Sequence, residues 1–287
     1  MDRHLAQLNI ATLRHPIDDP RIADFVDALP LVNGAGETTP GYVWRLQSES
    51  GDATDIRVFD DPLVIVNLTV WESLDALKSF AYRGVHREFF RRRAEWFVPG
   101  SSRTALWWLP AEVLPTTGDA RRRLDFIDAF GASPYAFEMG QLHPALVIER
   151  VGTDDARAQR MITLPNRVAD VVGDHGALVV AEIDDEVVAC GGYRMVDERT
   201  AEIKHMYVAK SARGLRVGTA VVAELEAVAR NNAIDRLVLE TGARQLPSLV
   251  SYEKFGYRLC PPGEVSESTP RLTRIEKALT TEPSRLA

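Results

Sequence analysis

Between Glu202 and Ala220 the chain passes from strand to loop to helix with few residues to spare. Lys204-His205-Met206-Tyr207-Val208 closes the strand, Ser211 to Arg216 form the loop, and the helix is expected over 217–230. Val217, Val221, Leu225 and Val228 recur at helical spacing, so one side of that helix must lie on a sheet. Its N-terminus presents unpaired backbone N–H groups and the positive end of the helix dipole. With Gly214 and Gly218 beside it, such an end makes an anion site, because glycine lets a diphosphate approach the backbone. A plain strand-to-helix turn would use the same residues.

The strand before the loop changes phase. Ala201 and Ile203 place apolar side chains on odd positions, whereas Met206 and Val208 place them on even ones. A β-bulge produces that pattern by re-aiming one side of the strand; a strand buried on both faces produces it equally well. Around this unit, strands are expected at 146–151, 177–183, 186–195 and 236–240, with a hairpin turn at Asp184-Asp185. Helical segments are expected at 154–172 and at 249–255, the latter ended by Gly256. One helix between two adjacent strands of a mixed sheet fits an open α/β layer.

Here a resemblance is plain. Arg213-Gly214-Leu215-Arg216-Val217-Gly218 resembles the pyrophosphate-binding motif of GNAT acetyltransferases, Gln/Arg-x-x-Gly-x-Gly/Ala. Leu239-Glu240-Thr241-Gly242, Gln245 and Ser251-Tyr252-Glu253-Lys254-Phe255-Gly256-Tyr257 resemble the family's later strand and its Tyr-Glu-x-x-Gly-Phe/Tyr signature. Arg216 stands where the family usually has its first glycine, and Gln245 and Ser248 where Asn and Ala are common. The resemblance implies an acyl-CoA, acetyl-CoA by default, held by the amides of Val208 and of Leu215 to Thr219. The implied binding set is Met206, Tyr207, Val208, Arg213, Gly214, Leu215, Arg216, Val217, Gly218, Thr219 and Gln245. It further implies that the strand over 206–208 aims an N–H at the thioester carbonyl, and that Tyr252 protonates the leaving thiolate. The base that deprotonates the amine is open between Glu202 and Glu240, with His205 third.

The front half reads strand, helix, strand, strand, helix, strand, then a last helix. Strands are expected at 5–12, 42–47, 63–71 and 104–109. Asp19 caps a helix with Pro20 at its first position. A second helix opens at Ser73 and runs to Trp96-Phe97, and another spans 119–130. That order gives a ferredoxin-like α+β sheet, one face of which needs cover beyond its two helices; a second copy of the chain would supply it. Gly131, Pro134, Gly140 and Pro144 then break the chain, so the two domains are placed at 1–141 and 142–287. The residues Val70-Trp71-Glu72-Ser73, Tyr82-Arg83, His86-Arg87-Glu88, Arg93, Trp96-Phe97 and Trp107-Trp108-Leu109-Pro110 resemble an uncharacterised bacterial family of the dimeric α+β barrel superfamily. Antibiotic-biosynthesis monooxygenases belong to the same superfamily. No established activity transfers with that resemblance, and a structural histidine explains His86 better than haem ligation does.

Composition narrows the function classes. A net charge of −7 speaks against a phosphate-binding surface for nucleic acid. Two cysteines, Cys190 and Cys260, support neither a disulfide framework nor a cysteine-based zinc site, and fit a reducing compartment. No stretch is apolar for long enough to span a bilayer, so a cytoplasmic protein without membrane partners is expected. The whole reads as an acyl-CoA-dependent N-acyltransferase acting by direct attack of a primary amine of a small molecule or peptide, with no metal. The alternatives are a CoA-binding sensory protein without turnover, or an enzyme whose chemistry lies in the front domain.

Overall fold

The computed structural model describes residues 2–82, 84–161, 175–242, 252–260 and 272–279. The chain divides into two compact units, Met1–Ala145 and Leu146–Ala287.

Unit one is built on four antiparallel strands, β1 (Arg3–Thr12), β2 (Tyr42–Arg45), β3 (Val64–Trp71) and β4 (Arg103–Pro110), in the order β2-β3-β1-β4. Between β1 and β2 lies α1 (Ala23–Glu37), entered through a 3-10 turn that Asp19 caps by accepting from the Arg21 N–H. Between β3 and β4 lie α2 (Leu74–Tyr82) and α3 (Gly84–Arg92), followed by a 3-10 turn over Arg93–Glu95. The single helix expected from Ser73 to Phe97 is therefore two helices and a turn. The last helix, α4 (Thr117–Phe130), starts on a capping box in which Thr116 Oγ1 accepts from the Asp119 N–H and Asp119 returns the bond to the Thr116 N–H.

Alternation along the strands sorts the sheet into two faces. Ala6, Leu8 and Ile10 of β1 share one face with Val66, Leu68, Val70, Ala105, Trp107 and Leu109. Of the cover that one face needs on sequence grounds, part comes from within the chain: Ala120, Leu124 and Ile127 of α4, with Ala53, Val58 and Phe59 from the long β2–β3 connection, pack on the even face of β1. On the opposite face the core is split. Leu5, Trp71 and Leu106 meet Leu77 of α2 at one end, and Leu13, Ile22 and Trp96 cluster at the other. Between those clusters lie the polar residues Gln7, Thr69, Asn9 and Asn67, with Gln7 paired to Thr69 and Asn9 to Asn67 across the strands.

Unit two is a seven-stranded sheet. Its strands are β5 (Leu146–Val151), β6 (Ala177–Ile183), β7 (Glu186–Met195), β8 (Thr200–Val208), β9 (Arg236–Gly242), β10 (Arg258–Leu259) and β11 (Leu272–Ala278), in the order β10-β11-β9-β8-β7-β6-β5. Asp184 and Asp185 both take positive φ, the requirement of a two-residue hairpin turn, and join β6 to β7 as expected. Among the described strands only β8 and β9 are parallel, and α6 (Val217–Asn231) is the connection between them. Val217, Val221 and Leu225 of α6 are buried, as the periodicity requires. Farther along α6, the buried Glu226 accepts from Arg230 at 3.1 Å and from Lys277 of β11 at 2.6 Å, which ties the helix to the far side of the sheet. Of the segment expected to be helical over 154–172, α5 (Ala156–Met161) is described. Of the 249–255 helix, only Tyr252 onward falls within the described residues.

Candidate active site

The parallel pair β8–β9 holds for four residues, Thr200↔Arg236 to Ile203↔Leu239, and then ends. Past that point β8 keeps its antiparallel partner β7 but through a bulge. Cys190↔Tyr207 and Gly192↔Lys204 remain in register, so Gly191 faces two residues, His205 and Met206. His205 has φ +54, a left-handed backbone that twists the strand at that point. The phase change between Ile203 and Met206 is therefore a bulge, while the paired part of β8, Thr200 to Ile203, is buried on both faces. The consequence is a cleft. The side of residues 204–208 that would pair with β9 leaves the ladder just where α6 begins.

Gly191 is the residue that makes room for this. A Cβ there would stand 2.5 Å from Met206 Sδ, 2.7 Å from Val221 Cγ1 and 3.4 Å from Leu225 Cδ1. The bulge thus points Met206 at α6, and only glycine opposite lets strand and helix meet. A Gly191-Gly192 pair inside a strand was the available sequence signal for it. Gly218 serves packing in the same way, since a Cβ there would lie 3.2 Å from Val208 Cγ2. Gly214 differs: it takes φ +85 and nothing stands within 4 Å of where its Cβ would be.

The loop after β8 folds as a 3-10 turn over Lys210–Ala212, then Arg213 and Gly214. Arg216 is the N-cap of α6, left-handed at φ 61 and ψ 19, with no side chain capping the helix. The Leu215 N–H donates to Ala212 and the Ala220 N–H to Arg216. Among the described residues the N–H groups of Val217, Gly218 and Thr219 have no acceptor. Three donors at the positive end of a 15-residue helix, beside an open glycine, are an arrangement able to take an anion such as a phosphate. The left-handed N-cap also explains why a glycine suits position 216, and why an arginine there carries a cost of about 1 kcal/mol.

The other expected residues are distributed as follows. Met206 and Val208 are half-buried between β8 and α6, and Tyr207 is exposed. Glu240 sits on β9 one residue beyond the last β8–β9 pair, half-buried, with no ion pair among the described residues. Glu202 lies on the paired part of β8, opposite Val238, and is buried. Its carboxylate takes Lys204 Nζ at 2.6 Å and Arg194 Nη2 at 2.9 Å. Burial pushes its pKa up, but the two cations outweigh burial and hold it below the ordinary glutamate range. A carboxylate so held is a poor proton acceptor near neutrality. Tyr252 packs edge-on against Tyr257, with centroids 5.4 Å apart, and desolvation pushes its phenol up to about 12. Such a phenol stays protonated and acts as a donor. Gly256, at φ +85, ends the turn that carries it, with the Tyr257 N–H returning to the Tyr252 carbonyl at 3.0 Å. Gln245 lies outside the described residues. Cys190 is fully buried, with its thiol raised by burial to about 11, and Cys260 is buried too, so neither is a nucleophile.

The model described as "Acetyltransferase (GNAT) family" matches residues 147–257, the stretch that holds the parallel pair ending at a bulge and the uncapped, glycine-flanked helix. Over its larger part the chain belongs to the family described as "Domain of unknown function (DUF3291)", whose model matches residues 4–151. The chain is 38% identical over 82 residues to the uncharacterized N-acetyltransferase YsnE of Bacillus subtilis (strain 168), covering 27% of this chain and 53% of that protein. It is 34% identical over 80 residues to the IAA acetyltransferase of Azospirillum brasilense, covering 28% and 52%. The chain thus spans about half the length of both relatives. Among solved structures, a GNAT family acetyltransferase from Elizabethkingia anophelis with acetyl-CoA bound is 18% identical, covering 47% of this chain and 98% of its own, with a TM-score of 0.39.

Two outcomes are expected. Gly191→Ala forces Met206 and Val221 apart and lowers unfolding free energy by about 1–3 kcal/mol, read in denaturant melts. Glu202 has a depressed folded-state pKa, so its ion pairs stabilise fully above the unfolded value and are lost as pH falls through the folded one. The stability gap between wild type and Glu202→Gln is therefore constant near neutrality and closes as pH drops below about 4; a gap independent of pH removes this account.

Proposed function

We infer that the protein is an acyl-CoA-dependent N-acyltransferase, moving an acetyl group to a primary amine of a small molecule or peptide. The observation that carries this reading is the set of unpartnered N–H groups of Val217, Gly218 and Thr219 opening onto the β8–β9 cleft. The donor set fits a diphosphate: backbone amides with no competing acceptor, open space at Gly214, and the cations Arg213 and Arg216 in the same loop. Acyl-CoA, when bound there, supplies the activated thioester.

The chain's own groups divide the remaining work. The strand edge at 206–208 supplies N–H groups toward the thioester oxygen, where negative charge develops as the amine adds. Tyr252 holds the proton that the departing thiolate takes. Glu240, at the point where the strands part and free of ion pairs among the described residues, accepts the proton that the ammonium must lose, directly or through water. Glu202 keeps a structural part, neutralising Arg194 and Lys204 at the start of the cleft. The strand order and directions of unit one support a ferredoxin-like reading of the front domain. The burial of both cysteines without a disulfide supports a cytoplasmic setting.

Titration calorimetry with acetyl-CoA tests the seat. Wild type is expected to bind, and Thr219→Glu, which suits a helix N-terminus but repels a diphosphate, to bind about tenfold more weakly or less, with an unchanged melting temperature. No heat with wild type, or equal affinity in the variant, overturns the assignment. For the proton acceptor, Glu240→Gln is expected to keep acetyl-CoA affinity while kcat falls by about 100-fold; an unchanged kcat excludes Glu240.

A further inference from the structure

The front domain contains a cavity that nothing in the acyl-transfer reading uses. It measures about 510 Å³, within the range of small-molecule sites. It lies on the sheet face whose core is split in two. Phe25, Leu29 and Val32 of α1 wall one side, and Phe89, Trp96 and Phe97 the other. The aromatic wall is ordered: Phe25 meets Phe97 edge-on at 5.2 Å, and Phe89 stacks on Trp96 at 6.0 Å. Arg92 holds the two sides together, reaching Asp24 of α1 at 2.9 Å and lying 4.8 Å over the Trp96 ring.

The floor carries the argument. Asn9 and Asn67 are directly opposite each other on β1 and β3, the two inner strands of the sheet. Asparagine is disfavoured in strands, and a position on an inner strand facing a helix layer is ordinarily apolar and closed. Asn67 is nevertheless exposed, because the cavity stands over it. Next along the same face, Thr69 donates to Gln7 at 2.9 Å and accepts from Trp71 Nε1 at 2.8 Å, a closed polar set. The pair at Asn67 is not closed. Among the described residues the Asn67 amide makes no hydrogen bond, the Asn33 amide on α1 makes none, and Asn9 only accepts from Ser102 at 3.3 Å.

The charged lining residues lie off the floor: Arg45 is bound to Glu37 and to the Gly51 carbonyl, Asp52 accepts from Thr54, and Arg91 and Arg93 are solvent-exposed, Arg93 donating to the Phe90 carbonyl. An ion on the floor would meet amide dipoles alone, at a high desolvation cost. We propose that this cavity is a binding site for one uncharged molecule with an aromatic or alicyclic body and a carbonyl or hydroxyl head. The body lies against the contiguous aromatic wall of Phe25, Trp96 and Phe97 and the α1 side chains Leu29 and Val32, and the head takes the donors and acceptors of Asn67 and Asn9.

Prodan, an uncharged naphthyl ketone whose emission moves to the blue out of water, tests this on the full chain. Saturable binding of one probe per chain is expected. Asn67→Leu is expected to weaken it by about tenfold, the worth of one or two hydrogen bonds. Val32→Trp, which fills the space from α1, is expected to abolish it. Thermal melts accompany both, and Asn33→Leu, which introduces a better helix former, provides a second amide deletion with little risk to folding. Because leucine makes the floor more apolar, mere partition into a greasy pocket predicts equal or tighter binding in Asn67→Leu. That outcome, or the lack of saturable binding by wild type, overturns the proposal.

Discussion

Everything distinctive in the second unit depends on one failure of strand pairing. After Ile203 and Leu239 the two parallel strands stop exchanging hydrogen bonds, and a row of backbone groups that a sheet would normally consume is left for something else. Unpaired backbone in a protein interior is expensive. The fold limits that expense by locating the rupture at the bulge, where β8 still has β7 on its other side and α6 beneath it. Gly191 is the hinge of the arrangement, since its missing side chain is the space into which Met206 and Val221 fit. The helix, the bulge and the glycine are one device, and altering any of them moves the other two.

Much of that device was legible. The spacing of Val217, Val221 and Leu225 told which side of the helix is buried, and the change of phase between Ile203 and Met206 marked the bulge. Choosing between a bulge and a two-sided strand needed the register, which no local pattern contains. Electrostatics were less readable. Glu202 looked like a base by its position in the strand, but its ion pairs come from Arg194 on β7 and from Lys204 two residues on, and the first of these depends on pairing across eight residues of chain. Glu240 makes no ion pair among the described residues, although Arg274 stands opposite it on β11, and the end of the β8–β9 ladder gives its place meaning.

The front domain shows where periodicity misleads. Its helical pattern from Leu74 to Phe97 reads as continuous, because apolar residues continue at suitable spacing, yet the chain makes two helices and a turn so that Trp96 can reach Leu13 and Ile22. The need for cover on one face was legible, and α4 supplies cover on the even face of β1. The covering helix α4 lay within the chain and was already visible, and its Thr116–Asp119 box is what begins it there. The asparagine pair attracted no notice in sequence, since one polar residue per strand is unremarkable until the two are seen face to face.

Cys190 deserves a last consideration as an instrument. Its sulfur is buried with Ala158 of α5 and Leu178 and Val180 of β6, 3.8 Å from the His205 carbonyl at the bulge, and a thiol reagent reaches it only when that packing opens. The rate of labelling at that sulfur therefore measures how often the core beside the bulge opens locally. A chemical clock for that breathing is thus built into the chain, and it runs without any foreign probe in the molecule.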